Sequence, residues 1–499
     1  AVENWEFVGL EDAGQIGAVE VHPQNPDLVY VAALGHPFGK NEQRGVFRSK
    51  DGGQSWENVL FLSDSTGAID LELNPENPDE IYAGMWRGER KPWTIISGAA
   101  KEDGIYKSTD GGDSWNKLSN GLPQGLMGKV DFAVTPANPD RVYALVEAPG
   151  DQQGLYRSDD RGESWTQTSD KEEIMSRPFY FTSITAHPQN PDKVYVGNVR
   201  YWVSSDGGET FERRPVSHVD VHDLWINPEQ PNIQVQGNDG GATVTLDGGE
   251  SWSTQYNQPT AELYQVNVDN QFPYWLYSGQ QDNSTISVPS LPPAESSETN
   301  QGLWHMIGGC ETGPAVPQIN NAKIVFANCK GRFGRYNKKT GQEKQYWVGA
   351  QYMYGRNPEE LKYRFQRVSP IEISPHDSSV VYHGSQFLHR TDNGGKKWET
   401  ISPDLTAFKD KFQVASGRPI NRDITGEEHF STLYSIQVSP HDPDVIWTGA
   451  NDGPVHVTQN GGENWTNVTT DNLPPNGRVA AIEASPHTPG KAYVTVQRR

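Results

Sequence analysis

Short runs in which apolar and polar residues alternate recur along the whole chain. Ala18-Val19-Glu20-Val21, Leu28-Val29-Tyr30-Val31, Gly45-Val46-Phe47-Arg48 and Trp56-Glu57-Asn58-Val59-Leu60 are early examples. Period-two alternation over such short stretches, bounded by Pro, Gly, Asn and Asp, predicts strands rather than helices. Two kinds of turn separate them. The first is Pro-rich: His22-Pro23-Gln24-Asn25-Pro26-Asp27 returns as Asn74 to Asp79, Thr135 to Asp140, His187 to Asp192, Asn227 to Asn232, Ser374 to Ser379, Ser439 to Asp444 and Ser485 to Gly490. One period thus holds strand a, Pro-turn, strand b, a variable loop, strand c, a second turn and strand d. Four antiparallel strands per period are the pattern of a propeller blade.

The second turn is Ser49-Lys50-Asp51-Gly52-Gly53-Gln54-Ser55-Trp56. It is rewritten as Ser108 to Trp115, Ser158 to Trp165, Ser204 to Phe211 and Thr245 to Trp252, with Asn393 and Asn460 replacing the Asp in Thr391 to Trp398 and Thr458 to Trp465. In Ser/Thr-x-Asp-x-Gly-x-x-Trp/Phe the oxygens accept from turn amides, Gly supplies positive φ, and the ring anchors the hairpin. On these residues nearly the whole chain resembles the Asp-box (BNR-repeat) β-propellers, which include sialidases, sortilin-type luminal domains and twin-propeller xyloglucan-cleaving hydrolases. The motif is specific for fold and almost silent on function.

Blades are expected at about 14–60, 66–120, 127–170, 180–215 and 217–257, then two degenerate ones at 262–308 and 311–349, then 363–402 and 430–470; residues 479–499 supply strands a and b of another. The expected fold is all-β. Two architectures fit: parts of two seven-bladed rings, or one ten-bladed ring as the resemblance to sortilin implies. The change of repeat style after Trp252 favours two rings, a first propeller over 1–258 and a second over 259–499.

Composition narrows the function classes. A formal charge of −22 and a pI near 5.0 argue against a nucleic-acid partner, which needs a basic face. No apolar run approaches the ~20 residues of a membrane span. The chain begins at Ala1 without Met, so a processed N-terminus and an extracellular, periplasmic or cell-surface location are expected. Cys310 and Cys329 sit where a hairpin brings them together; a disulfide and two buried thiols both remain open. Asn283, Asn464 and Asn467 match the N-glycosylation pattern, Asn464 inside a repeated turn.

If Pro-turns and Asp boxes share one pole of the blades, the long b–c and d–a loops share the other, where binding residues belong. Trp86, Arg87 and Trp93 lie on the Gly84 to Asp103 loop, Arg177 and Tyr180 on Lys171 to Thr182, and Tyr352 on Gly349 to Arg364. These are the expected ligand contacts, the rings offering stacking faces and the arginines bidentate donors; pinning a loop is the competing role. No sialidase-type arginine triad assembles. His218, Asp220 and His222 open strand a of the fifth blade and, if extended, face one side, as ligands for a divalent metal or as a polar plug. No other cofactor is indicated.

Asp239, Asp282 and Asp452 each follow a strand b. The resemblance to the twin-propeller hydrolases implies one catalytic Asp from each ring, and these three are the candidates, Asp239 with Asp452 foremost; that family's first-ring Asp lies in an opening blade this chain lacks. Asp also suits such turns for structural reasons. The expectation is an exported protein that binds a peptide, protein or glycan on the variable pole. The alternatives are a glycoside hydrolase acting on a β-glucan through paired Asp, and a structural module.

Overall fold

The computed structural model describes residues 4–258, 260–291, 304–349 and 353–498. The protein is all-β, with 38% of residues in strands and only short 3-10 turns as helix. Among the described residues no helix is long and apolar enough to cross a membrane. Among the described residues, eight sheets are four-stranded and antiparallel, a ninth has three strands and the last two form hairpins. The alternation read from the sequence therefore becomes propeller blades, each strand pairing with the preceding strand of its own blade.

Two compact units divide the chain. The first comprises Ala1–Lys91, Ile95–Gln255 and Gly417–Asp423; the second comprises Pro92–Thr94, Tyr256–Ser416 and Ile424–Arg499. In the first unit, strands a of the five blades are Ile16–Val21, Gly67–Leu73, Val130–Val134, Ser183–Ala186 and Val221–Ile226. Each lies beside strand a of the next. Apolar side chains fill the space between blades: Leu71, Ile81 and Met85 pack with Tyr30 and Val46, and Val142, Val146 and Phe132 with Tyr82. Polar stitches cross the same seams. Asp70 Oδ2 accepts the amide of Phe132 and Asp131 Oδ2 that of Ile184, both at 2.7 Å. The tyrosine hydroxyls of Tyr30 and Tyr143 donate to Gly111 O and Pro191 O in the following blade. The fifth blade buries one face against the fourth, while Trp225, Val235 and Val244, cross-strand neighbours on its other face, are exposed.

In the second unit, strands a are Asn267–Val268, Ala315–Pro317, Ile371–Ile373, Leu433–Val438 and Arg478–Ala484. A disulfide joins Cys310 to Cys329, which ends strand Ile324–Cys329. It closes a loop of 19 residues in sequence. By the chain-entropy argument its reduction costs about 3 kcal/mol of stability. Denaturant titrations with and without reductant are expected to differ by that amount, and coincident curves would show that packing alone holds the loop.

The repeated turn behaves as its composition dictates. Ser49 Oγ accepts the amide of Gly53 at 2.8 Å; Asp51 accepts the Ser55 amide at 2.8 Å on Oδ1 and the Ser55 hydroxyl at 2.6 Å on Oδ2. Asp110, Asp160, Asp206 and Asp247 repeat this with Ser114, Ser164, Thr210 and Ser251. Where the Asp becomes Asn393 or Asn460, the fourth residue on becomes Lys397 or Asn464, and only the backbone bond survives, at 3.0 and 2.9 Å. Two oxygens are kept where there are two donors. Both kinds of turn lie at one pole: the amides of Gly52, Gly111, Gly207, Gly248 and Gly461 donate to Asp27, Asp79, Asp192, Asn232 and Asp444 of the Pro-turns at 2.8–2.9 Å. The variable loops consequently occupy the other.

Candidate functional site

In the first unit, three variable loops bring most of the expected residues into one continuous group. Arg177 has φ 53, a left-handed conformation uncommon for a side chain of its size, and its carbonyl accepts the amides of Tyr180 and Phe181, both at 3.1 Å. That tight turn lifts Phe179, Tyr180 and Phe181 as a row of rings with centroids 5.2 and 6.1 Å apart. Arg177 lies 4.5 Å over the Tyr180 ring, Arg90 lies 5.7 Å from it, and the Arg177 Nε is 3.1 Å from both oxygens of Asp423. Cation–π contacts of this kind hold the two arginines and the ring in one arrangement, and Asp423, sharing the Arg177 Nε–H between its two oxygens, fixes Arg177.

The row continues into the fifth blade. Phe181 is 5.2 Å from the His222 ring, and His222 Nε2 meets Asp239 Oδ1 at 2.7 Å. Val221 pairs with Asn238 in register, which is why the start of strand a and the end of strand b meet. The segment before Val221 is not extended, however: Asp220 has φ 60, and the ladder shifts between Val221 and Asp223. His218, Asp220 and His222 therefore do not project as an evenly spaced row. His218 Nδ1 lies 2.9 Å from Val219 O. Asp220 instead comes close to Asp239, one oxygen of each within 4.8 Å. Burial, and then the Asp239 charge, push the Asp220 carboxyl upward. Imidazole and two carboxylates in that arrangement are the elements of a divalent-cation site or of an acid–base pair.

Other expected residues have different surroundings. Trp86 is 3% exposed; its indole N–H donates to Ser97 Oγ at 3.0 Å and Phe179 packs edge-on at 5.4 Å. It supports the aromatic row from beneath and offers no open face. Arg87 pairs with Glu89, which Lys91 also meets at 2.9 Å. Against the upward push of burial, Lys91 and Arg87 hold the Glu89 carboxyl low. Tyr352 lies outside the described residues.

In the second unit Trp93 is half-buried and packs on Phe412 and Phe430, with centroids at 4.1 and 5.7 Å. It borders a cavity of about 210 Å³ with Asn451, Asn476 and Arg478. Asp452 is turned inward, 4% exposed, its Oδ2 accepting the amides of Ala407 and Phe408 at 3.0 and 3.2 Å, and burial pushes its carboxyl upward. Asp282, with φ 60, accepts from Gln281 Nε2 at 2.8 Å and donates its amide to Glu311 Oε2 at 3.1 Å. Asp452 is thus held by amides 44 and 45 residues away, and Asp282 by its neighbour Gln281 and by Glu311, 29 residues on. The contact that sequence reasoning missed in the first unit is Asp423, 246 residues from Arg177. Its place in the loop from Ser402 to Glu428, the longest between a strand d and the next strand a, is the one hint the chain offers.

Fold and site together define an all-β, propeller-type protein with an aromatic and charged group at the variable-loop pole of its first unit. No family model matches the chain, and neither does any curated protein sequence. Solved structures similar to it include the GH74 enzyme of Niastella koreensis, at 13% identity over 93% of this chain and 79% of that one, TM-score 0.39. The GH74 xyloglucanase of Xanthomonas campestris is 13% identical over 96% and 82%, TM-score 0.39. The extracellular domain of a putative hybrid two-component system from B. thetaiotaomicron is 11% identical over 96% and 62%, TM-score 0.30. Likeness at this level says nothing of what this chain binds.

Proposed function

We propose that the chain is an exported binding protein whose ligand, a peptide, protein or glycan, docks on the variable-loop pole of the first unit. The observation that carries this reading is the row Phe179, Tyr180, Phe181 and His222, with Arg177 and Arg90 on the Tyr180 ring. Phe179 and Tyr180 are half-buried and rest on the buried Phe181 and Trp86, so they are pre-organised and a ligand stacking on them orders few side chains. On this reading the Asp boxes are scaffold, and the two units are parts of separate rings.

The test is an array of immobilised glycans and peptides probed with the intact chain. Any specific ligand is expected to bind roughly ten-fold more weakly to Tyr180→Ala. Binding that ignores Tyr180→Ala and Arg90→Ala would place the ligand elsewhere, and an array with no hits would leave a structural module as the better reading.

The approach of Asp220 to Asp239, with His222 on the latter, favours a second reading, hydrolysis of a β-glucan at that pair. One oxygen of each lies within 4.8 Å of the other, closer than the ~6.5–9.5 Å between carboxyls that an inverting mechanism needs. Release of reducing ends from xyloglucan, abolished by Asp239→Asn, is its expected result; a polysaccharide panel without turnover ends it. If a divalent ion occupies the group instead, a chelator lowers the melting temperature of the parent and leaves that of His222→Ala unchanged.

A further inference from the structure

Register equivalence picks out one position on every strand a, the residue facing the second residue or so of strand b. In the first unit it is Glu20, Glu72, Ala133, Thr185 and Trp225, paired with Tyr30, Tyr82, Tyr143, Tyr195 and Val235. In the second it is Asn267, Val316, Glu372, Gln437 and Glu483, each opposite an aromatic ring: Tyr277, Phe326, Tyr382, Trp447 and Tyr493. Glutamate is depleted in strands, yet it fills this position four times.

The five residues of the second unit all line one cavity of about 290 Å³. Pro375, Pro440 and Pro486 of the Pro-turns rim it, so it opens at the turn pole, away from the variable loops. Apolar side chains, Val268, Pro317 and Ile373 among them, share its walls with polar groups in about equal measure, and no Lys, Arg or His lines it. The polar groups are two carboxyls and two amides. Gln437 Nε2 reaches Glu372 Oε1 at 3.4 Å, and among the described residues no basic group offsets the burial of Glu372. Each rim turn carries a histidine after its proline, His376, His441 and His487; the first two are committed through Nε2 to the carbonyls of Ser439 and Ser485 at 2.9 and 3.1 Å.

We propose that this cavity binds the ammonium or guanidinium head of an alkyl chain, Glu372 and Glu483 supplying the countercharge and the Val, Ile and Pro walls taking the stem. Lysine and arginine side chains of a partner and free polyamines share that chemistry. A small inorganic cation does not use the apolar walls, and an anion meets two carboxyls. Repetition of the glutamate at the same register in both units marks the position as a built feature of the blade.

Binding is coupled to a proton. Burial, opposed by the Val438 amide and added to by the Glu483 charge, pushes the Glu372 carboxyl up to about 8, so the empty cavity holds it protonated at neutral pH. A bound cation favours the ionised form, so affinity rises between about pH 6 and 9 and up to one proton is released on binding near neutrality.

The experiment is calorimetric titration of the intact chain with n-butylammonium, n-butanol, acetyl-lysine methylamide and spermidine, in two buffers of different ionisation enthalpy. Saturable binding of the cations and not of butanol is expected, with proton release that Glu372→Gln removes. Glu483→Gln, at an exposed position, is expected to weaken binding roughly ten-fold; it keeps the test open if Glu372→Gln does not fold. Tighter binding of the lysine amide than of spermidine assigns the site to a peptide side chain, the reverse to a polyamine. Absence of saturable cation binding, equal binding of butanol, or affinities unchanged in both variants overturns the proposal. Tyr180→Ala is expected to leave these titrations unaltered, which separates this site from the one at the variable pole.

Discussion

Arg44→Ala is expected to destabilise the first unit by about 3–5 kcal/mol, the range for uncompensated loss of a buried hydrogen-bonded charge. Arg44 is fully buried at the end of the Ala33 to Arg44 loop. Its guanidinium donates to the carbonyls of Leu34 and His36 at 2.6 Å, of Gly39 at 2.7 Å and of Ser65 at 3.2 Å. One cation therefore supplies the donors for a loop that has few backbone bonds of its own. Truncation strands those oxygens; the outer ones recover water, which keeps the cost below the sum of four bonds. Gly35 depends on the same side chain: at φ 85, a Cβ there would lie 2.5 Å from Arg44 Cγ. Lysine, a point donor, cannot span four carbonyls, so Arg44→Lys is expected to recover less than half of the loss. Urea unfolding measures both. A variant with the parent's midpoint would mean the carbonyls have other partners.

The second large effect is on pH. Several carboxyls are held above their ordinary range. Burial pushes Asp103, 1% exposed, up to about 7, outweighing its bonds from Ala100 N and Thr66 Oγ1. Burial and then Asp70 push Glu20 up to about 7, and burial raises Glu72, Asp70 and Asp131 on the neighbouring strands. For a group with a raised folded pKa, the unfolded chain ionises first, so stability is greatest below about pH 4 and falls until the folded group ionises. Asp103 alone accounts for a loss of about 4 kcal/mol between about pH 4 and 7. The turn carboxylates act in the opposite sense. The Ser114 hydroxyl and amide hold Asp110 down at about 2, and bonds from Thr210 overcome burial to hold Asp206 there too. Their stabilisation is present above about pH 4 and lost as pH falls through 2. In the second unit burial holds His383 down to about 4 and His389 to about 3, so that unit loses stability as pH falls below about 6.5, when the unfolded chain takes up their protons. For the first unit the melting temperature is therefore expected to be highest near about pH 4 and to fall towards about pH 7, with Asp103→Asn flattening that fall. A maximum at neutral or alkaline pH would contradict it.

How much of this was legible in the chain varies by residue. Strand alternation, Pro-turns and the repeated Asp turn locate the blades, because hydrogen bonding in these elements is local. Antiparallel pairing was enough to place His222 beside Asp239, 17 residues on. It was not enough for Asp220, whose φ of 60 breaks the extended row that period-two reasoning assumes. Trp86 reads as an exposed platform on a polar loop, yet Phe179 from another blade and Ser97 cover it. Asp452 reads as the partner of Asp239 by position; two amides at Ala407 and Phe408 claim it instead.

The sequence by itself determined which segments become strands, which turns share a pole and where side chains alternate, since all three follow from interactions a few residues long. It also carries the pairing of Asp with Ser or Thr four residues on. Only the tertiary structure decided what the loops do. Whether an arginine meets Asp423 or Glu89, and whether a ring is floor or face, depends on distant segments competing for the same donors and the same buried area.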